Sequence, residues 1–198
     1  MQTEILLYDH FEELDAIGPY SILSKAGFDV AFVTAEPAER VEAANGMVVV
    51  PERRLSDQVE LLVVPGGPWT RRRPRGTWAE VQRGALAPII AARHAAGSTV
   101  ASVCTGAFLL AAGGLLDGRP ATTDWEDLDD LEQTAATVIR DARVVDDGDI
   151  LTAAGVTSGF DLALWLAEKH FGAERADDVA RGISYRRDRN VWRARVER

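Results

Sequence analysis

The chain predicts an α/β fold, a mostly parallel sheet covered by helices on both faces, and three observations lead there. Strand-like and helix-like segments alternate through the 198 residues. The strand-like runs are apolar at consecutive positions, as in strands buried on both sides. Glycine or Pro-Gly punctuation follows several of them.

The elements follow in order. Glu4 to Tyr8 reads as a first strand, Ala16 to Ala26 as a helix, and Asp29 to Thr34 as a second strand after the Gly27 break. Val41 to Val50, interrupted by Asn45-Gly46, reads as a small hairpin, because Asn-Gly supplies the positive φ that a tight turn needs. Leu61 to Val64 is a short buried strand running into Pro65-Gly66-Gly67. Trp78 to Ala96 is helical, with Pro88 expected to kink or divide it.

Thr99 to Val103 is the next buried strand, followed by a helix starting near Thr105. Val144-Val145 and Ile150 to Ala153 read as two strands around the Asp146–Asp149 turn. After Gly155, the positions Phe160, Ala163, Leu164, Ala167 and Phe171 form one helix face, and Ser158 with Asp161 fits a capping box at its start. In such folds ligands bind at the carboxyl ends of strands. The turns after Tyr8, Val64, Val103 and Ala153 are therefore expected to converge on one pocket.

Composition narrows the function. The 198 residues fit a single domain with 46% hydrophobic content, enough for a substantial core. One cysteine allows no intramolecular disulfide, and no stretch reads as a signal peptide or membrane span, so a soluble cytoplasmic protein is expected. A net charge of -9 opposes nucleic-acid binding and leaves small molecules or a second copy of the chain as expected partners.

The lone cysteine, Cys104, lies where the strand ends and the helix begins. Unpaired backbone N–H groups there favour a thiolate, and Gly106 allows close packing or close approach of a ligand. The alternative is a small buried hydrophobe. Asp15 lies just before the predicted first helix, which carries Pro19 in its first turn, so its carboxyl either caps that helix or serves a site. His10, His94 and His170 lie in a loop or on predicted helices, where surface or satisfied roles are expected, and only His10 follows a strand.

Six blocks together resemble the ThiJ/PfpI superfamily, and within it the isocyanide hydratases. They are Leu14-Asp-Ala-Ile-Gly-Pro-Tyr20, Val64-Pro-Gly-Gly67, Ser102-Val-Cys-Thr-Gly106, Gly114-Leu-Leu-Asp-Gly-Arg119, Ala121-Thr-Thr123 and Gly155-Val-Thr-Ser-Gly-Phe-Asp161. The resemblance implies one ThiJ/PfpI-like (class I glutamine amidotransferase-like) domain over residues 1–198, a flavodoxin-like sandwich and a homodimer. It also implies Cys104 as nucleophile and Asp15 as acid-base partner, turning an isocyanide into an N-substituted formamide through a thioimidate, with no metal or organic cofactor. Gly66, Gly67 and Thr105 are implied on the substrate or oxyanion side, although Thr105 could equally cap the elbow helix.

Departures keep other classes open. PfpI-type peptidases carry His after the nucleophile, and this chain carries Thr105. The block usually written Ala-Thr-Thr-His-Trp reads Ala121-Thr-Thr-Asp-Trp125. An ionised Asp124 near the thiol opposes thiolate formation unless it points away, is protonated, pairs with an arginine or serves a different chemistry. It could also cap a helix over Glu126 to Leu131. Asp124, Trp125 and His10 are thus candidate modulators.

The Arg71-Arg-Arg-Pro-Arg75 run reads as a solvated loop balancing an acidic surface, with capture of an anionic substrate as its alternative. Arg186 to Arg198 reads as a surface or dimer-contact segment. The rival activities are glyoxalase or deglycase chemistry, against which aspartate in place of glutamate at position 15 counts, and cysteine-based redox or ligand sensing.

Overall fold

The computed structural model describes residues 1–194. In chain order its elements are β1 (Gln2–Leu6), α1 (Glu13–Ala26), β2 (Asp29–Thr34), β3 (Val41–Glu42), β4 (Val48–Val49), β5 (Arg53–Arg54) and β6 (Leu61–Val64). Then come α2 (Thr77–Arg83), α3 (Leu86–Ala95), β7 (Thr99–Val103), a 3-10 turn (Cys104–Gly106), α4 (Ala107–Ala112), β8 (Pro120–Ala121), α5 (Leu128–Glu132) and β9 (Thr137–Val138). β10 (Val144–Asp146), β11 (Ile150–Ala153), α6 (Ser158–Phe171), α7 (Ala173–Gly182) and β12 (Val191–Arg193) complete it.

Eight strands form the central sheet in the order β12-β10-β11-β7-β6-β1-β2-β5. Only the β10–β11 pair in it is antiparallel. Helices α1, α6 and α7 pack on one another, as do α2, α3 and α4, and both groups contact the sheet. The result is a flavodoxin-like α/β sandwich. From β1 the chain moves outward through β2 to β5, then returns to β6 on the other side of β1. Strand order therefore reverses between β1 and β6, and the crevice at their carboxyl ends is where such sheets bind ligands.

The apolar runs account for the central strands. Leu61, Leu62, Val63 and Val64 are all fully buried in β6, each contributing about 1.5–3 kcal/mol of transfer free energy. The strands at 29–34, 61–64, 99–103 and 150–153 match the sequence expectation. Elsewhere the structure corrects it. β1 starts and ends two residues early because it opens on polar residues, two of which, Thr3 and Glu4, are nonetheless buried. Glu4 is sealed under the sheet edge by Arg53 (3.0 Å) and the Ser56 amide (3.0 Å).

The helical stretch before β7 does divide, but at Gly84, whose φ of 69° ends α2. Pro88 sits in the first turn of α3, where its missing N–H is harmless. The capping box does not form: Thr157 flanks α6 without a side-chain cap, and Asp161 instead receives Arg143 Nε (2.7 Å), the Tyr185 hydroxyl (2.9 Å) and the Asp188 amide (2.8 Å).

Part of the arginine-rich C-terminal segment is built into the fold. β12 pairs with β10, and Arg187 is held by Glu168 (2.6 Å) and Asp177 (3.1 Å), while residues 195–198 lie outside the described residues.

A close approach fixes the elbow against the sheet. A Cβ at Gly106 would fall on the Val64 carbonyl oxygen, a backbone atom with no rotamer to change. Gly106→Ala is expected to lower stability by about 2 kcal/mol, seen as a lower urea midpoint at unchanged m-value.

Candidate active site

The strand β7 runs extended to Val103 (φ −119°, ψ 137°), and Cys104 then turns into the left-handed region at φ 55°. For a residue with a Cβ this strain is on the order of 1–3 kcal/mol. It is held from both ends, the Cys104 amide donating to Ala154 O (3.2 Å) and its carbonyl accepting from Thr123 Oγ1 (2.8 Å). The side chain is 7% exposed, at the carboxyl edge of the sheet.

Asp15 arrives from α1. That helix starts one turn earlier than its apolar pattern suggests, so Asp15 lies inside the first turn and Pro19 beyond it. Glu12 flanks the helix, and its amide donates to Gly66 O (2.8 Å), tying the helix start to the end of β6. Asp15 is fully buried and is not a cap: its Oδ2 accepts from the Gly66 amide (3.0 Å), and its Oδ1 has no hydrogen-bond partner. Burial pushes this carboxyl well above the ordinary carboxylate range; the Gly66 amide opposes the shift, while the Glu12 and Asp124 charges add to it. Interaction with the Cys104 thiol opposes the effect of burial, the smallest of these influences.

The glycine turn packs into the same corner. A Cβ on Gly66 would lie 2.6 Å from Thr105 Oγ1 and 2.9 Å from Asp15 Oδ2, so only glycine fits between these two side chains. The Gly67 amide donates to Thr105 Oγ1 (2.9 Å), and the Thr105 hydroxyl donates back to Gly67 O (2.7 Å). The two glycine amides thus position Asp15 and Thr105. Behind Thr105 a buried hydroxyl chain continues to Thr77 (3.2 Å) and on to Tyr8 (2.8 Å), whose hydroxyl also donates to Pro65 O (2.8 Å).

Asp124 points at the thiol. The sulfur donates to Asp124 Oδ2 at 3.8 Å, and the other carboxylate oxygen accepts from the Glu126 amide at 3.0 Å. It neither caps α5, which starts at Leu128, nor forms an ion pair among the described residues. Burial raises the Cys104 thiol well above the ordinary thiol range, and the Asp15 and Asp124 carboxyls push it further; amides of Val156 and Thr105 act the other way. The elbow's donors are therefore outweighed, and the resting group is a thiol, contrary to the thiolate that its turn suggests.

Trp125 is 74% exposed and lines, with Asp124, Gly155, Val156 and Arg143, a cavity of about 580 Å³ that reaches the carboxyl of Asp124 but whose lining does not include Cys104. His10 turns away to Asp9, 3.6 Å from its Oδ1. His94 pairs with Asp149 (2.7 Å), and His170 packs against Phe28 and Phe171. Two arginines of the run are paired: Arg75 grips Asp9 with two bonds of 2.7 Å and also reaches Glu42, while Arg72 covers Trp78 and pairs with Asp130.

The model of the DJ-1/PfpI family matches residues 1–169, which span Asp15, the glycine turn, Cys104, Thr105 and Asp124. The chain belongs to the DJ-1/PfpI family. It is 31% identical over 187 residues to the isonitrile hydratase of Pseudomonas putida, covering 93% of this chain and 78% of that protein. Its fold superposes on a ThiJ/PfpI protein from Pseudomonas syringae with a TM-score of 0.84 at 28% identity, over 94% of this chain and 76% of the other. Drosophila melanogaster DJ-1beta gives a TM-score of 0.80 at 23% identity, over 93% and 98% of the two chains, a likeness of fold.

Within this family member four contributors carry little or no sequence signal of their own. The Val156 amide acts on the sulfur as a backbone group, which no residue type announces. Tyr8 and Thr77 join the site through a hydroxyl chain spanning distant elements. Thr123 holds the elbow by its side chain, and only its place in the Ala121–Thr123 block hinted at a role. Among the described residues no three His, Cys, Asp or Glu side chains group as a metal site, and no helix is long and apolar enough to cross a membrane.

Proposed function

We propose that this protein adds water to an isocyanide, R–N≡C, to give an N-substituted formamide, with Cys104 as nucleophile and Asp15 as acid-base partner. The observation that carries the proposal is the Asp15 carboxyl, wholly buried beside the thiol and pushed toward its protonated form. An isocyanide carbon accepts a nucleophile and a proton on the same atom, so a sulfur and a carboxylic acid side by side match the demand. The similarity to an isonitrile hydratase over most of both chains supports the same reading.

In this scheme the thiol proton moves to a base of the site as sulfur bonds to the isocyanide carbon and Asp15 gives that carbon its proton, leaving the thioimidate R–N=CH–S–Cys104. Asp15, now a carboxylate, takes a proton from water as the water adds to the same carbon. Nitrogen receives the proton held by that base, the new hydroxyl gives its proton through the same base to sulfur as the C–S bond breaks, and R–NH–CHO leaves with the thiol restored. Thr105 and the glycine turn keep the acid and the sulfur in register. The substrate is a small molecule, and a homodimer is the proposed assembly, read by sedimentation.

Purified protein is given an aryl isocyanide in one reaction and methylglyoxal in another. Formamide in the first alone is the expected result. Lactate from the second without formamide would replace hydration by glyoxalase chemistry.

A further inference from the structure

The site holds two carboxyls on one thiol, and their surroundings differ. Asp15 has one oxygen on the Gly66 amide and, among the described residues, no charged partner, and it is fully buried. Asp124 has one oxygen fixed by the Glu126 amide and the other on the sulfur, at the wall of the cavity. Its approach is provided for by another residue: a Cβ at Gly155 would fall on Asp124 Oδ2, so the missing side chain is the space that this oxygen occupies.

We infer that Asp124 is the general base that takes the Cys104 proton, while Asp15 is kept as the acid. The assignment rests on the reading of Cys104 as a nucleophile but not on the identity of the electrophile. Transfer of the proton from Sγ to Oδ2 turns a thiol and a carboxylate into a thiolate and a carboxylic acid. The charge moves by one hydrogen bond and no new charge appears in the buried site, whereas losing the proton to water would leave two anions side by side.

Amides of Thr105 and Val156 then face the sulfur that has gained the charge. After water has added, the Asp124 acid returns its proton to the substrate nitrogen, takes up the proton of the new hydroxyl as the C–S bond breaks, and passes it back to the sulfur. All protons are accounted for.

The groups facing this pair are few. Asp15 from α1 acts on the sulfur, Tyr8 just past β1 is itself raised in part by the Cys104 charge, and Asp127, pushed up to about 6 by its own burial, faces Asp124. A proton that passes from the thiol to Asp124 Oδ2 rather than to solvent makes thiolate formation independent of the proton concentration outside. Alkylation of Cys104 by iodoacetamide should therefore show a plateau in its pH dependence near neutrality.

The experiment measures this rate from pH 5 to 9 in the native protein and in Asp124→Asn, with circular dichroism to verify folding. The expected result is loss of the plateau in Asp124→Asn, with alkylation about 100-fold slower at pH 6 and rising tenfold per pH unit. Equal or faster alkylation in the variant would overturn the assignment and make Asp124 a charge that only suppresses the thiolate. If Asp124→Asn does not fold, Gly155→Ala displaces the same oxygen and should lose the plateau likewise; a plateau kept there also overturns it. Formamide is assayed in parallel. A plateau lost as expected, with no formamide from the native protein, would refute hydration alone, and formamide with an unchanged profile would refute the base alone.

Discussion

Replacing Cys104 by alanine is expected to reduce formamide production to the rate of buffer, a loss on the order of 10⁴-fold or more. The sulfur is the one group in the corner able to bond to carbon and later leave, and neither Asp15 nor Asp124 substitutes for it, since an acid held for proton transfer is a poor nucleophile. Fold is expected to survive, because the elbow's backbone bonds to Ala154 and Thr123 do not involve the side chain. Formamide is quantified by chromatography at matched protein concentration, and a Cys104→Ala variant that keeps more than a tenth of the native rate would remove the thiol from the reaction.

Asp15→Asn is the second large effect, with two readouts of opposite sign. Activity should fall by about 10²- to 10⁴-fold, mostly in kcat, because an amide still accepts the Gly66 amide bond but gives no proton to carbon. Stability should move the other way at neutral pH and above. The folded-state pKa of Asp15 is raised above its unfolded value, so the native state binds the extra proton. Its stabilising contribution is complete below the ordinary carboxylate pKa and is lost as pH rises through the raised folded value. The substituted amide has no such proton to lose, so thermal melts should show the variant gaining on the native protein with increasing pH. Equal pH dependence of the two proteins would mean that Asp15 is not held protonated.

The central strands were legible because Leu61–Val64 and Thr99–Val103 are uninterrupted apolar runs with sharp ends. What escaped reading had polar or edge character. Helix α7 is rich in Asp, Glu and Arg, and β12 pairs along one edge through Val191, Trp192 and Arg193. The start of β1 was missed because Glu4 is a buried charge whose partners, Arg53 and Ser56, lie on another segment.

The site divides in the same way. Cys104, Gly66 and Thr105 could be placed together because each sits where a strand ends, and such ends gather at one edge of a parallel sheet. Asp15 needed the resemblance, since its position in a helix's first turn admits a cap equally well. The direction of Asp124 was beyond reach. It depends on Gly155, far along the chain, whose missing Cβ leaves room for the carboxylate.

The most direct measurement is the intact mass of the protein quenched in acid during turnover of an aryl isocyanide. The account predicts a species heavier by one isocyanide, mapped to the peptide carrying Cys104, absent from Cys104→Ala and diminished in Asp15→Asn, which has no proton to give the carbon. Formamide accumulating while no adduct forms on Cys104 in any variant, or an adduct on another residue, would contradict covalent hydration at this thiol.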